Sequence, residues 1–111
     1  MNTKQLDKNL HNLTTVVSDG GTISVGGEDT VTISVIGTAT SFNLIFEGTI
    51  DGSTWFPVAM IDLATFAVST STSTKNKLYT TDISALKEFR TRLSAVSGGN
   101  ITVQAKTIMS R

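Results

Sequence analysis

Residues that could carry out chemistry are few in this chain. His11 is the single histidine, and there is no cysteine. A Ser-His-Asp triad and a four-ligand zinc site are therefore both disfavoured. Glu47 and Asp51 could serve as the paired carboxylates of a glycosidase, but an Asp before Gly52 more simply bonds its own turn backbone. We therefore predict a protein that is not an enzyme and needs no cofactor.

Acidic turns offer a second kind of chemistry, the binding of a hard cation through oxygen ligands. Glu28, Asp29 and Asp51 are the candidates. Their spacing matches no calcium-binding loop, so a role in forming turns is favoured and no metal site is predicted.

Arg90 and Arg92 lie two residues apart on a predicted strand, and alternate residues of a strand share one face. They could pair with Glu47 or Asp62 inside the chain, or with a partner subunit. Both arginines are therefore candidate interface residues, and intramolecular pairing is the alternative.

Trp55 and Phe56 are the candidate aromatic contacts. Neighbours on a strand point to opposite faces, so we expect one ring to face the core while the other cannot. An exposed ring beside a turn could stack on a sugar or anchor a protein contact, and burial by a neighbouring loop is the equal alternative.

Composition limits the partners. Nine basic and nine acidic residues give a formal net charge of zero, whereas a domain that binds the nucleic-acid backbone normally has a basic excess. The first residues lack the apolar run of a secretory signal, and no later stretch is long and apolar enough to span a membrane. We expect synthesis in a cytoplasm, with neither nucleic acid nor membrane as a partner.

The elements that position these residues fall into two parts. Residues 1–13 carry Leu6, Leu10 and Leu13 at spacings of four and three, which predicts an N-terminal arm with a short helix. We expect the leucines to anchor this arm on its own domain or on a neighbouring subunit. Residues 14–111 are predicted to form one β-sandwich domain.

Alternating apolar residues and Gly/Asn/Asp turns recur along that domain. The clearest signal is the hairpin from Phe42 to Pro57, whose turn is Asp51-Gly52-Ser53. Further inward-facing residues are predicted as Val31, Ile33, Val35, Ile50, Phe89, Leu93 and Ala95. The pattern predicts an all-β fold, an antiparallel β-sandwich or jelly roll of about 7–8 strands.

Two segments resemble small virion structural proteins of tailed bacteriophages. In the first, residues 46–58, F-E-G-T-I-D-G is followed by S-T-W-F-P-V; in the second, residues 79–95, D-I-S precedes F-R-T-R-L-S. A closing G-N-I-T-V strand follows, and the resemblance covers roughly residues 30 to 107. A D-G-x-x-W hairpin also occurs in extracellular sugar-binding β-sandwiches, whereas the later segment favours the phage proteins.

The resemblance implies a virion structural protein without catalytic residues. Such proteins decorate capsids, belong to the neck, or form parts of tails and head fibres. We expect a homo-oligomer, with a trimer favoured, that contacts other virion proteins such as the major capsid protein and stabilises the particle. The alternatives are a neck or tail subunit and a tail-fibre or baseplate module that binds glycan.

Overall fold

The computed structural model describes the backbone of residues 3–27 and 30–110, and the side chains of residues 7–27 and 30–108. Eleven strands occur in this part of the chain, several of them only two or three residues long. They are β1 (Thr3–Thr14), β2 (Thr22–Ser24), β3 (Thr30–Gly37), β4 (Ser41–Thr49), β5 (Trp55–Pro57), β6 (Met60–Asp62), β7 (Val68–Ser69), β8 (Ser71–Thr72), β9 (Lys77–Asp82), β10 (Glu88–Ser97) and β11 (Ile101–Ser110).

The strands form two antiparallel sheets. The six-stranded sheet has the order β1-β11-β3-β9-β6-β7. The five-stranded sheet has the order β2-β10-β4-β5, and β8 also pairs with β4. The described residues therefore form an all-β sandwich, as the sequence predicted, although with more and shorter strands than expected.

The core lies between the sheets because each long strand alternates apolar and polar residues. From β3, Val31, Ile33 and Val35 are buried, and from β10, Phe89 and Leu93 face them from the other sheet. An aromatic contact also bridges the sheets, since the rings of Phe46 and Tyr79 lie 5.1 Å apart between centroids.

The predicted N-terminal helix is wrong. Thr3–Thr14 is a strand, and it pairs with β11 along the edge of the six-stranded sheet. Leucines spaced four and three residues apart are typical of one face of a helix. A helix this short is unstable on its own, so the backbone hydrogen bonds with β11 determine the conformation. Within the described residues, Thr3–Thr14 is therefore an edge strand of the sheet and not a separate helical arm.

The three leucines of this segment have different environments. Leu10 is 2% exposed and belongs to the hydrophobic core, so it anchors this segment on its own domain, the first of the two expected roles, and does not face a neighbouring subunit. Leu13 is 63% exposed. The side chain of Leu6 lies outside the described residues, as do Glu28 and Asp29.

Irregular pairing accounts for two further differences. The register between β10 and β4 shifts between Leu93 and Ala95, and this bulge reverses the alternation so that Ala95 is exposed instead of buried. Ile50 was also expected to face the core, but β4 ends at Thr49 and Ile50 enters the turn, where it is 73% exposed.

The predicted hairpin is confirmed. β4 and β5 pair antiparallel, with Glu47 opposite Pro57 and Thr49 opposite Trp55. Asp51 Oδ1 accepts hydrogen bonds from the backbone N–H groups of Ser53 and Thr54, each at 2.8 Å. These bonds hold the pKa of the Asp51 carboxyl well below its usual range. Pro57 lies on an edge strand, where its missing N–H leaves no gap in the sheet.

Candidate functional site

A carboxylate clamped by two arginines lies on the outer face of the five-stranded sheet. Glu47 on β4 is directly opposite Arg90 on β10, and Arg92 is one same-face position further along. Arg90 Nε donates to Glu47 Oε1 at 2.9 Å, and Arg92 Nε lies 3.2 Å from both Glu47 oxygens. Glu47 is only 7% exposed. The two arginines therefore offset the burial of one carboxylate within the chain.

Trp55 completes this cluster. The guanidinium carbon of Arg90 lies 4.0 Å from the centroid of the Trp55 ring, which is cation–π geometry. Arg90 Nη1 also lies 3.6 Å from Asp19 Oδ2. The Arg90 guanidinium therefore covers one face of the Trp55 indole ring, and Trp55 is half-buried.

Neither of the two candidate aromatics belongs to the hydrophobic core, so the expectation that one would face it is wrong. Phe56 is 57% exposed. The reason is the position of β5, a three-residue strand at the sheet edge, where side chains reach past the core. Trp55 contacts Arg90, whereas Phe56 remains available to a partner.

His11 is buried and ties the two sheets together. It is 3% exposed, and its Nε2 lies 2.6 Å from the carbonyl oxygen of Thr91 on the opposite sheet. Since a carbonyl only accepts, Nε2 carries the proton and donates it. Burial lowers the pKa of His11, opposed in part by this hydrogen bond. A Cβ at Gly20 would lie 2.6 Å from His11 Nε2, so the ring fills the space that glycine leaves.

The turn between β6 and β7 carries the most exposed large apolar side chain among the described residues. Phe66 in this turn is 76% exposed, and Val68 beside it is 62% exposed. Ile61 and Leu63 are each more than a third exposed. Sequence reasoning missed this site, although a turn-forming Asp62 followed by apolar residues without any charge was a readable signal.

A shallow groove of about 530 Å³ lies on the outer face of the six-stranded sheet. Thr32 and Ser34 of β3 line its floor together with Leu78 and Ile108. Asp7, Lys8 and Lys106 also line it, and Lys106 Nζ lies 3.8 Å from Asp7 Oδ1. The lining of the groove therefore combines apolar, hydroxyl-bearing and charged side chains.

The structure thus pairs Arg90 and Arg92 with Glu47, as the intramolecular alternative anticipated, and places Trp55 against Arg90. It leaves Leu13 and Phe56 exposed at separate places. No group of three or more His, Asp or Glu side chains in the described part of the chain could hold a metal ion. Within residues 3–27 and 30–110, no helix is long and apolar enough to cross a membrane.

Comparison with solved structures finds the same fold in two proteins. The SPBc2 prophage-derived protein YomS superposes with a TM-score of 0.92 and 20% identity, over 97% of this chain and 96% of YomS. The PBSX exported protein XepA gives a TM-score of 0.93 and 23% identity, over 96% of this chain and 38% of XepA. At these identities the likeness shows the fold alone.

Sequence comparison gives the family. The uncharacterized protein YqxG of Bacillus subtilis (strain 168) is 31% identical over 107 residues, which are 95% of this chain and 35% of YqxG. The chain thus spans about a third of the length of this curated relative. The family model named XepA matches residues 4–107. Since that match covers both sheets of the sandwich, the chain belongs to the XepA family.

Proposed function

We propose that this chain is a phage structural protein that acts through protein–protein contacts as a homo-oligomer. More specifically, we favour a virion accessory subunit that decorates the capsid. The major capsid protein would be its partner in the particle. A neck or tail position would use the same kind of contact at another place in the virion.

The observation that carries this proposal is the exposed apolar surface around Phe66, on a domain whose core is already filled. A side chain that is large, apolar and three-quarters exposed adds nothing to the folded chain alone. It gains free energy once a partner covers it, at about 25 cal/mol per Å² of apolar area before the entropic losses of association.

The relatives support a phage association. YomS, which shares the fold over nearly its whole length, is described as prophage-derived, and XepA is described as a PBSX exported protein. The first description favours a protein encoded with a phage. The second raises the alternative that the protein acts outside the cell without being bound to a particle.

A glycan-binding module has less support. Its main candidate, Trp55, has one ring face covered by the Arg90 guanidinium. Phe56 is exposed and would have to bind a sugar on its own. Sugar platforms depend on an open aromatic face, so the covered indole favours a structural role for Trp55.

Fractionation of a lysate from phage-producing cells tests the proposal. Particles are banded on a density gradient, and this protein is detected by antibody in the particle band and in the particle-free fractions. A virion subunit stays with the particles through a wash in high salt. Recovery only in the particle-free medium would contradict the virion role and favour an exported protein.

A further inference from the structure

The ring of His11 joins three parts of the chain. It belongs to β1 in the six-stranded sheet, and its Nε2 donates to the carbonyl of Thr91 on β10 in the five-stranded sheet. The ring also packs against Gly20, in the connection between β1 and β2, where a Cβ would lie 2.6 Å from Nε2 and 2.7 Å from Cε1. One buried side chain therefore contacts both sheets and the segment that runs between them.

The connection between β1 and β2 is held by few other bonds. Ser18 and Leu93 exchange two backbone hydrogen bonds, at 3.0 and 2.8 Å, and the N–H of Gly21 donates to the Leu10 carbonyl at 2.9 Å. β2 then adds three paired residues at the edge of the five-stranded sheet. A segment with so few bonds can open locally at a lower free energy than the whole domain.

The neutral ring of His11 fits its site, and the charged ring does not. Nε2 carries the proton that Thr91 accepts, and Nδ1 has no hydrogen-bond partner among the described residues. A second proton at Nδ1 would add a donor without an acceptor and a positive charge to a site that is 3% exposed. Contact with water relieves both, and the weakly bonded segment at Gly20 is the part of the covering that can move.

The neighbouring elements supply no counter-charge for a protonated ring. Their charged residues are Asp7 and Lys8 on β1, Asp19 in the connection, Glu88, Arg90 and Arg92 on β10, and Lys106 on β11. No carboxylate of the described residues forms an ion pair with His11. Arg90 and Arg92 alternate with Thr91 along β10, so they lie on the opposite face of the strand, where both pair with Glu47. Asp19 pairs with Arg90, and Asp7 pairs with Lys106.

We propose that His11 is a pH-sensitive latch, which holds residues 15–24 on the sandwich while its ring is neutral and releases them when the ring is protonated. The latch goes beyond the proposed function and does not depend on it. Release uncovers Ile23, which is 1% exposed in the closed form, and the edge of β10 that β2 covers. An apolar side chain and a free strand edge both favour binding to other proteins, so acid pH changes the surface that the domain presents.

Hydrogen exchange of the full chain, followed by NMR at pH 7.5 and pH 5.5, tests the latch. The reporters are the amides of Ser18 and Gly21, whose bonds close the segment. Their exchange should depend little on urea, whereas the amides of β3, which has strands on both sides, should exchange only with global unfolding. The protection factors of Ser18 and Gly21 should fall up to about tenfold between the two pH values, because the ordinary histidine pKa of about 6.5 lies between them.

Two variants identify the group that titrates. His11→Gln keeps a donor for the Thr91 carbonyl and does not titrate, so the protection of Ser18 and Gly21 should be the same at both pH values. Asp19→Asn removes the carboxylate of the connection without touching the ring, and should leave the wild-type dependence on pH intact.

The contrary outcomes are distinct. Protection that does not change with pH overturns the latch, and so does exchange of Ser18 and Gly21 only through global unfolding. A fall in protection that persists in His11→Gln assigns the effect to another group and also overturns it. If His11→Gln fails to fold, the wild-type protein decides: the ring signals of His11 and the amide signals of residues 18–21 must titrate with one midpoint, and separate midpoints overturn the latch.

Discussion

Glu47 and the arginines opposite it show how far single residues can be interpreted from sequence. Alternation placed Arg90 and Arg92 on one strand face, and a cross-strand partner was among the alternatives. The choice between Glu47 and Asp62 depends on which strands pair, and Asp62 lies in the other sheet, bonded to Lys77. The stacking of Arg90 on Trp55 likewise depends on pairing that no local pattern encodes.

Replacing Glu47 with alanine should destabilise the fold. The change leaves Arg90, whose side chain is only 15% exposed, without its nearest carboxylate. Because the arginines keep partial contact with water, we expect the free energy of unfolding to fall by about 2 kcal/mol, which is less than for a fully buried pair. Urea unfolding measures it. Arg92→Ala, at the more exposed end of the cluster, should lower stability less than Arg90→Ala.

His11 predicts a dependence of stability on pH. Burial lowers its folded-state pKa, so its contribution is complete above its ordinary value of about 6.5 and is lost as pH falls toward the lowered pKa. The free energy of unfolding should therefore decrease as pH falls from 7 to 5. The aspartates with lowered pKa values, Asp51, Asp62 and Asp82, affect the stability only below about pH 4.

The control for this pH effect is His11→Gln, whose amide can donate the same hydrogen bond and does not titrate. Urea unfolding of the variant should show the same stability at pH 7 and pH 5. A wild-type protein whose stability is flat between these values would contradict the assignment to His11.

At the scale of elements, local sequence signals were enough to predict the hairpin formed by β4 and β5. The β4–β5 turn has Asp51 and a glycine at positions where the local backbone needs them. Beyond this hairpin, the chain leaves one sheet after Pro57 and enters the other at Met60. Only long-range pairing determines such a crossing.

The N-terminal strand gives the element-scale prediction. Leu10→Asp should unfold or strongly destabilise the domain, because β1 supplies a fully buried leucine to the core. An uncompensated carboxylate there costs several kcal/mol. Circular dichroism and thermal unfolding of the variant measure this effect, with Leu13→Asp as the exposed control. A folded Leu10→Asp protein that only fails to assemble would show that the leucine faces a neighbour.

At the scale of the whole molecule, composition and alternation were sufficient for the fold class. The zero net charge also agrees with a chain that works inside an assembly, since it provides no repulsion between copies. The groove on the outer face of the six-stranded sheet was not readable from sequence, because it is formed by four strands that are distant along the chain.

The measurement that tests the central claim most directly is the mass of the purified protein in solution, by light scattering over a range of concentrations. The chain has a mass of 11.8 kDa. A homo-oligomeric structural subunit predicts a stable multiple of that mass, and three copies is the multiple that we favour. A mass of one chain at every concentration would contradict self-assembly as the basis of its function.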